Sequence, residues 1–203
     1  MNWRLAYAVG FHPWEEAIGD PPFAETFSRL LDREEEGREP PYGPALDLGT
    51  GSGIWGVELA RRGWQVTGVD IVGKALRRAR ERIRKAGVEM RLVQGNVTKL
   101  RAAGIGSGFR LVLDTGTFHD LRGDQREAMS REVGAVAAYD ASVLLLAWPR
   151  RVRPLIRGTS RSEIEAAFSG WKVTDIEPSH FRLPRPLDLL LRPDEHWYRL
   201  CRA

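Results

Sequence analysis

A short apolar run that ends in a glycine-rich loop constrains this 203-residue chain more than any other feature. The run covers residues 45–48, and glycines follow at alternate positions, Gly49, Gly51 and Gly53. Glycine lets the backbone turn tightly and lets a ligand approach the amide groups of the loop, as nucleotide-binding sheets require. The loop therefore predicts a parallel sheet that binds a nucleotide-like ligand at the carboxyl end of its first strand.

The chain after the loop alternates short apolar runs with longer amphipathic stretches, which is typical of strand–helix–strand units. Predicted helices cover about 54–62, 73–86 and 124–138. Ser160 and Glu163 have the spacing of a capping box, which predicts the start of a further helix. Predicted strands cover about 45–48, 65–70, 90–94, 109–114, 142–148, 171–177 and 196–202. The expected fold class is α/β, with a doubly wound and mainly parallel sheet.

Composition agrees with a folded chain, since 42% of the residues are hydrophobic and 29% are charged. These values exclude a disordered or collagen-like chain, and the length favours one domain over 1–203. The single cysteine, Cys201, forms no internal disulfide, and the Cys/His spacings of a structural zinc site are missing. Residues 1–10 form too short an apolar stretch for a signal peptide or a membrane span. We therefore expect a cytoplasmic protein with no metal and no membrane partner.

Two classes of cofactor are compatible with the loop itself. Residues 51–56 match the dinucleotide pattern GxGxxG, and Asp70 lies near the distance expected of a ribose-binding carboxylate. This combination would suit an NAD(P)-dependent oxidoreductase. Asp47 argues against that interpretation, because a dinucleotide fold has no need of a carboxylate inside its first strand.

Residues 47–53, Asp-Leu-Gly-Thr-Gly-Ser-Gly, resemble motif I of class I S-adenosylmethionine-dependent methyltransferases. The resemblance extends from about residue 45 to residue 203. Residues 113–120 resemble motif IV of small-molecule methyltransferases of the thiopurine and tellurite-resistance type. The resemblance implies a Rossmann-like sheet of seven strands with the last strand antiparallel. It also implies S-adenosyl-L-methionine as the cofactor and an oxygen, sulfur or nitrogen nucleophile as the methyl acceptor.

The resemblance also implies a role for individual residues toward the cofactor. Asp47 would orient its cationic amino end, and Asp70 would accept both ribose hydroxyls, since a carboxylate has two acceptor oxygens. Ile71 would cover one face of the adenine. Asn96, where the family more often has Asp, would accept a hydrogen bond from the adenine amine. The implied cofactor-binding residues are Asp47, Gly49, Thr50, Gly51, Gly53, Asp70, Ile71, Asn96, Val97, Asp114 and Trp14.

Candidate catalytic residues follow the fourth predicted strand, where motif IV lies beside the reactive methyl group. His119 is the candidate general base, because imidazole titrates near neutrality. Asp114 and Asp120 are candidates to orient or replace it, and Trp14 and Trp148 are candidates for the acceptor side. The alternative is that His119 is a structural histidine that bonds to the neighbouring backbone.

The first forty residues resemble the N-terminal helical cover that small-molecule methyltransferases fold over their ligand. We therefore expect a cover over 1–40 and an α/β core over 41–203, while ordinary core packing of the aromatic residues stays open. The aromatic residues are Trp3, Tyr7, Phe11 and Trp14.

Arginines in two later segments, 150–157 and 182–185, suggest an anionic acceptor, because guanidinium groups bind carboxylates and phosphates in pairs of hydrogen bonds. Solvated loops are the alternative. The net charge of +4 and the pI near 9.6 permit nucleic-acid methylation as a second function. Against it, residues 114–117 lack the Asn/Asp-Pro-Pro-aromatic motif of base methylation. The sequence favours a small-molecule methyltransferase, monomeric or homodimeric, with a non-catalytic S-adenosylmethionine-binding protein as a further alternative.

Overall fold

The computed structural model of the chain describes residues 19–149, 157–180 and 194–203. In these residues, helices α1 to α5 cover Pro21–Glu35, Ile54–Arg62, Gly73–Ala86, Gly123–Val136 and Arg161–Ala167. Strands β1 to β7 cover Gly43–Leu48, Trp64–Asp70, Arg91–Gln94, Phe109–Asp114, Ala137–Ala147, Trp171–Pro178 and His196–Arg202. Short 3-10 turns follow β3 and β4 at Val97–Lys99 and Phe118–Asp120.

The seven strands form one sheet in the order β3-β2-β1-β4-β5-β7-β6. Strands β1 to β5 are parallel, and β7 is antiparallel to both β5 and β6. The predicted α/β sheet with an antiparallel last strand is therefore confirmed. The strand order reverses between β1 and β4, so the loops that follow these two strands open a crevice at the carboxyl edge of the sheet.

Local capping signals determine where the helices begin and end. Gly63 and Gly87 have positive φ angles of 108° and 66°, and their amides bond to carbonyls in the last turns of α2 and α3. At the start of α5, Ser160 Oγ accepts the Glu163 amide, while the Glu163 carboxylate accepts the Ser160 amide. These contacts confirm the predicted limits of α2 and α3 and the predicted start of α5.

Strand β5 begins at residue 137, five residues before the predicted start, and α4 ends at Val136. Ala137 pairs with Phe109 across a register shift in the β4–β5 ladder. The guanidinium of Arg202 donates to the carbonyls of Ala137 and Ala138. Because these are contacts with distant strands, they override the helical propensity of the alanines that sequence reasoning relied on.

Helices cover both faces of the sheet. On one face, α1 and α2 bury an aromatic cluster in which Phe23 lies 5.3 Å from Trp55 and Phe27 stacks on Trp197 at 5.5 Å between ring centroids. On the other face, α4 and α5 bury a second apolar cluster that includes Met129. In the described part of the chain, no helix combines the length and the apolar character needed to cross a membrane.

The predicted cover over 1–40 is described only in part. Helix α1 packs against the sheet through its apolar face and belongs to the same core as α2. Residues 1–18, which include Trp14, lie outside the described residues. The covering role of this segment stays a prediction.

Candidate functional site

The glycine-rich loop between β1 and α2 lies at the crevice. Gly49, Gly51 and Gly53 have φ angles of 66°, 56° and 77°, a backbone region that favours glycine. A Cβ atom on Gly49 would lie 1.9 Å from Oγ1 of Thr117, in the loop that follows β4. The two loops therefore touch, and only glycine fits at position 49.

Helix α3 holds the glycine-rich loop from the side. The guanidinium of Arg82 donates to the Ser52 carbonyl at 3.0 Å, and a Cβ atom on Gly53 would lie 3.1 Å from the Cβ atom of Ala79. No side chain caps the start of α2. The positive end of the α2 dipole therefore faces the crevice with the loop amides around it.

Asp47 lies fully buried beneath this loop. Its Oδ2 atom accepts the Thr50 hydroxyl at 2.5 Å, whereas its Oδ1 atom has no hydrogen-bond partner among the described residues. Burial raises the pKa of Asp47 to about 7 against the opposing effect of the Thr50 hydrogen bond, and the nearby carboxylates of Asp114 and Asp70 raise it further. A buried polar atom without a partner is costly, so this position is suited to a cationic or hydrogen-donating ligand group.

Asp70 ends β2 on the other side of the loop and is 8% exposed. Its Oδ1 atom accepts the Val72 amide at 2.7 Å and its Oδ2 atom accepts the Gly51 amide at 2.8 Å. Burial raises the pKa of Asp70, and these backbone hydrogen bonds act in the opposite direction. Each oxygen can accept one more hydrogen bond, so the carboxylate can receive a diol. Ile71, the next residue, leaves 46% of its surface exposed, which provides an apolar face at the rim.

Asn96 follows β3 and is exposed at the same edge of the sheet. Its Oδ1 atom accepts both the amide of Thr98 at 3.0 Å and the hydroxyl of Thr98 at 2.9 Å. These two bonds use the acceptor that sequence reasoning had assigned to the adenine amine. The part of Asn96 that remains available to a ligand is its NH2 group, which donates. Val97 beside it is buried.

Asp114 is the last residue of β4, at the start of the loop that follows this strand. Its fully buried carboxylate accepts the amides of Gly116, Thr117 and Phe118 at 2.8, 2.6 and 2.9 Å. Burial raises its pKa to about 6, and these three bonds act against the shift. Asp114 therefore shapes the loop after β4 from below, where it has no exposed surface to offer to an acceptor.

His119 lies in the turn after β4 and is 3% exposed. Its Nδ1 atom accepts the backbone amide of Trp148 at 3.3 Å, so the ring proton of the neutral imidazole is on Nε2. Burial lowers the pKa of His119 to about 4, although the half-buried Asp120 acts in the opposite direction. A neutral ring whose lone pair is already used corresponds to the structural alternative for His119. The predicted acceptor-side residue Trp148 is itself buried in the core.

We expect His119→Ala to destabilise the protein, because the amide of Trp148 loses its acceptor. The cost of such an unpaired group is about 1–3 kcal/mol, and a thermal melt measures it. His119→Asn offers an amide oxygen in a similar position and should restore part of this loss. Both variants should keep methyl transfer to any acceptor that the wild type methylates. A stable His119→Ala protein without turnover would instead identify His119 as the base.

Arg126 is a residue of the site that sequence reasoning missed. It is 5% exposed, and it donates to the carbonyls of Phe118, His119 and Gly158 at 3.2, 2.9 and 2.7 Å. Its guanidinium also lies 5.3 Å from the centre of the Phe118 ring. Arg126 thus ties the loop after β4 to the segment after β5.

A signal for Arg126 was present in the sequence. Residues 126, 129, 130 and 133 are all buried on α4 and follow the i, i+3, i+4, i+7 spacing of one helix face. Because a charged residue on a helix is usually exposed, this spacing by itself does not identify Arg126 as buried. Other predicted acceptor-side residues, Trp14, the arginines of 150–153 and those of 182–185, lie outside the described residues.

Comparison with known proteins identifies relatives of this arrangement. Residues 45–139, just under half of the chain, match the family model described as a methyltransferase domain. The fold is similar to that of magnesium protoporphyrin IX methyltransferase (ChlM) from Synechocystis PCC 6803 with bound SAM. The TM-score is 0.74 at 16% identity, over 98% of this chain and 93% of that one.

Two further relatives differ in what their names imply. The N-methyltransferase NodS from Bradyrhizobium japonicum WM9, in complex with S-adenosyl-L-homocysteine, is 14% identical with a TM-score of 0.69, over 90% of this chain and 88% of that one. Ribosomal RNA small subunit methyltransferase C from Alcanivorax borkumensis is 30% identical over 97 residues, which are 48% of this chain and 29% of the relative. The match thus spans less than a third of that relative's length.

Proposed function

Because the chain carries a methyltransferase domain of the class I, S-adenosylmethionine-dependent fold, we propose that it transfers a methyl group to a small-molecule acceptor. The cofactor of this domain is S-adenosyl-L-methionine. The observation that carries the proposal is the buried, unpartnered Oδ1 atom of Asp47 beneath the glycine-rich loop. The ammonium group of the cofactor would satisfy that atom and neutralise a carboxylate whose burial is otherwise costly.

The residues along the crevice fit the rest of the cofactor. Asp70 has one free acceptor position on each oxygen for the two ribose hydroxyls. Ile71 offers its exposed side chain to one face of the adenine. Asn96 would donate through its NH2 group to a ring nitrogen of the adenine, since its oxygen is already bonded to Thr98. The backbone of the loop, at Thr50 and the glycines beside it, would pack on the sugar and the methionine portion.

When bound, the cofactor supplies a methyl group on a sulfonium sulfur, which is a leaving group that needs no proton. The work left to the chain is to align the acceptor with the methyl group and to exclude water. Asp114 and Arg126 shape the loop after β4 that forms this side of the crevice. No proton transfer is assigned to His119 in this proposal, so acceptors with a free nucleophilic lone pair near neutral pH, such as carboxylates, thiolates and weakly basic amines, suit the site best.

The choice of a small-molecule acceptor is supported by the names of two structural relatives. One relative is a magnesium protoporphyrin IX methyltransferase and the other is the N-methyltransferase NodS. The second candidate function is methylation of RNA, and it is favoured by the match to a ribosomal RNA methyltransferase. That match covers 48% of this chain and 29% of the relative, so it is weaker support for the acceptor than a match over the whole length would be.

The first test is a calorimetric titration of the protein with S-adenosylmethionine, S-adenosylhomocysteine, NADH and NADPH. We expect binding of the two adenosyl-sulfur ligands and none of the nicotinamide ligands. Binding of NADH or NADPH alone would overturn the proposal in favour of an oxidoreductase.

The second test measures formation of S-adenosylhomocysteine with panels of amines, thiols, carboxylates and phenols, and with ribosomal RNA. Turnover of a small molecule supports the proposal, and turnover of RNA alone would establish the second candidate. If both ligands bind and no panel member turns over, the protein is a binding protein for the cofactor.

A further inference from the structure

Helix α3, which begins two residues after Ile71, carries an unusual excess of positive charge. Its seven basic residues and one acidic residue give it a formal charge of +6, against +4 for the whole chain, so the remaining residues together carry −2. Six of its residues are exposed, and five of the six are basic. We name these five the α3 basic face: Lys74, Arg77, Arg80, Arg84 and Lys85.

Several exposed arginines on other surfaces of the protein are paired with carboxylates, which distinguishes them from Arg77, Arg80 and Arg84 of the α3 basic face. Among the residues that the structure describes, no salt bridge involves Arg77, Arg80, Arg84 or Lys85. Six exposed arginines elsewhere have a carboxylate partner, in the pairs Arg29–Glu177, Arg33–Asp175, Arg61–Glu58, Arg101–Glu132, Arg131–Glu127 and Arg161–Glu165. Among the described residues, exposed Arg38, Arg91 and Arg122 have no such partner.

Only part of this arrangement helps the helix to form, because Arg84 and Lys85 lie in the last turn, where cations complement the helix dipole. Arg80 and Arg84 are four residues apart on one side of the helix, where like charges destabilise it by roughly 0.2–0.5 kcal/mol. Lys74 lies in the first turn, which has no acidic residue and where a cation opposes the helix dipole. The stability of α3 therefore does not account for all of these charges, and a partner outside the chain would account for the rest.

From this surface we infer that α3 is a docking site for the phosphate backbone of a nucleic acid strand. At a rise of about 1.5 Å per residue, the 14 residues of the helix extend over about 21 Å, a length that faces roughly six phosphates of a stacked strand. Guanidinium groups suit phosphate oxygens because they donate two parallel hydrogen bonds.

The composition of the face determines how the strand would be recognised. The exposed positions of α3 include no aromatic residue, so bases have nothing to stack on and recognition would be independent of sequence. They also include no apolar residue that could insert between lipids, which argues against a membrane surface as the partner. This inference concerns a second surface of the protein and does not require that the nucleic acid be the methyl acceptor.

Fluorescence anisotropy with a labelled single-stranded RNA of about 16 nucleotides tests the inference. We expect binding that weakens between about 50 and 200 mM salt, as counterion release requires. The triple variant Arg77→Glu, Arg80→Glu, Arg84→Glu should bind at least about ten-fold more weakly. The slope of log K against log salt should become shallower by about 2, since each phosphate contact to a single strand contributes about 0.7.

A matched control keeps the same change in net charge on other surfaces: Arg29→Glu, Arg61→Glu, Arg131→Glu. This control should retain most of the RNA affinity, and both triple variants should bind S-adenosylhomocysteine like the wild type. A DNA strand of the same length tests whether the 2′-hydroxyl groups of the RNA contribute to its affinity for the protein. No binding by the wild type, equal losses in both triples, or stronger binding to phosphatidylserine vesicles or polyglutamate would overturn the inference. None of these readouts measures methyl transfer, so a failure of this inference can be distinguished from a failure of the proposed function.

Discussion

Replacing Asp70 by alanine should weaken the binding of S-adenosylhomocysteine by about 100-fold. In the proposed complex, the Asp70 carboxylate accepts two ribose hydroxyls, and hydrogen bonds to a charged group are worth about 1.5–3 kcal/mol each. The loss of two such bonds, about 3 kcal/mol at the lower limit, corresponds to roughly a hundred-fold change in the dissociation constant. Isothermal titration with S-adenosylhomocysteine measures it directly.

Asp70 also holds the glycine-rich loop through the amides of Gly51 and Val72, so the alanine variant loses two kinds of contact. Asp70→Asn separates them, because its amide oxygen can still hold one of the two backbone amides while the second acceptor oxygen is replaced by a donor. We expect an intermediate loss of affinity for this variant. Asp124→Ala, at an exposed carboxylate in the first turn of α4, is the control and should bind normally. Unchanged affinity in Asp70→Ala would remove Asp70 from the cofactor site.

The features that sequence reasoning predicted well are those that depend on neighbours along the chain. Helices α2 and α3 end at Gly63 and Gly87 because a left-handed glycine satisfies the last carbonyls, whatever the rest of the fold does. The alternation of elements predicted a mainly parallel sheet with Asp47 and Asp70 at or near the ends of its strands. The sheet of seven strands with an antiparallel last strand was implied by the resemblance to class I methyltransferases, not by these local signals.

The features that sequence reasoning missed depend on which groups a side chain contacts in the folded protein. Asn96 and Asp114 occupy predicted positions, but both accept backbone amides of the turns that follow them, a common competition at loop starts. His119 is buried because β5 brings the amide of Trp148 against it, and the two residues are far apart in sequence. No sequence motif predicts such a contact between residues that are far apart in the chain. The side of the crevice built from several loops was therefore the least predictable part.

Ionisation of Asp47 should make the stability of the ligand-free protein depend on pH. The pKa rises from 3.8 to about 7 on folding, so the folded state favours the protonated carboxyl. The stability that this group contributes is complete below about pH 4 and is lost as the pH rises through about 7. Asp114 acts in the same direction, whereas His119, whose pKa falls to about 4, loses its contribution as the pH falls from about 6.5.

The variant Asp47→Asn isolates the pH dependence of stability that comes from the Asp47 carboxyl group. Relative to the wild type, it should gain about 2–3 kcal/mol in the free energy of unfolding between about pH 5 and pH 8, because only the wild type must bury a charge at the higher pH. Urea unfolding at both pH values measures the difference. A difference between the two proteins that does not change with pH would show that Asp47 is ionised at both values.

Ligand binding should show the opposite trend with pH, because the ammonium group of the cofactor favours ionised Asp47. The affinity of the wild type for S-adenosylhomocysteine should rise up to about ten-fold per pH unit below about pH 7 and level off above it, with a proton released on binding. Asp47→Asn should bind more weakly and lose this dependence. Adenosine, which has no ammonium group, is the matched ligand control and should bind with little change across the same range. A wild-type pH dependence that survives in Asp47→Asn, or that appears equally with adenosine, would assign the titration to another group and leave the buried Oδ1 atom without its proposed ligand.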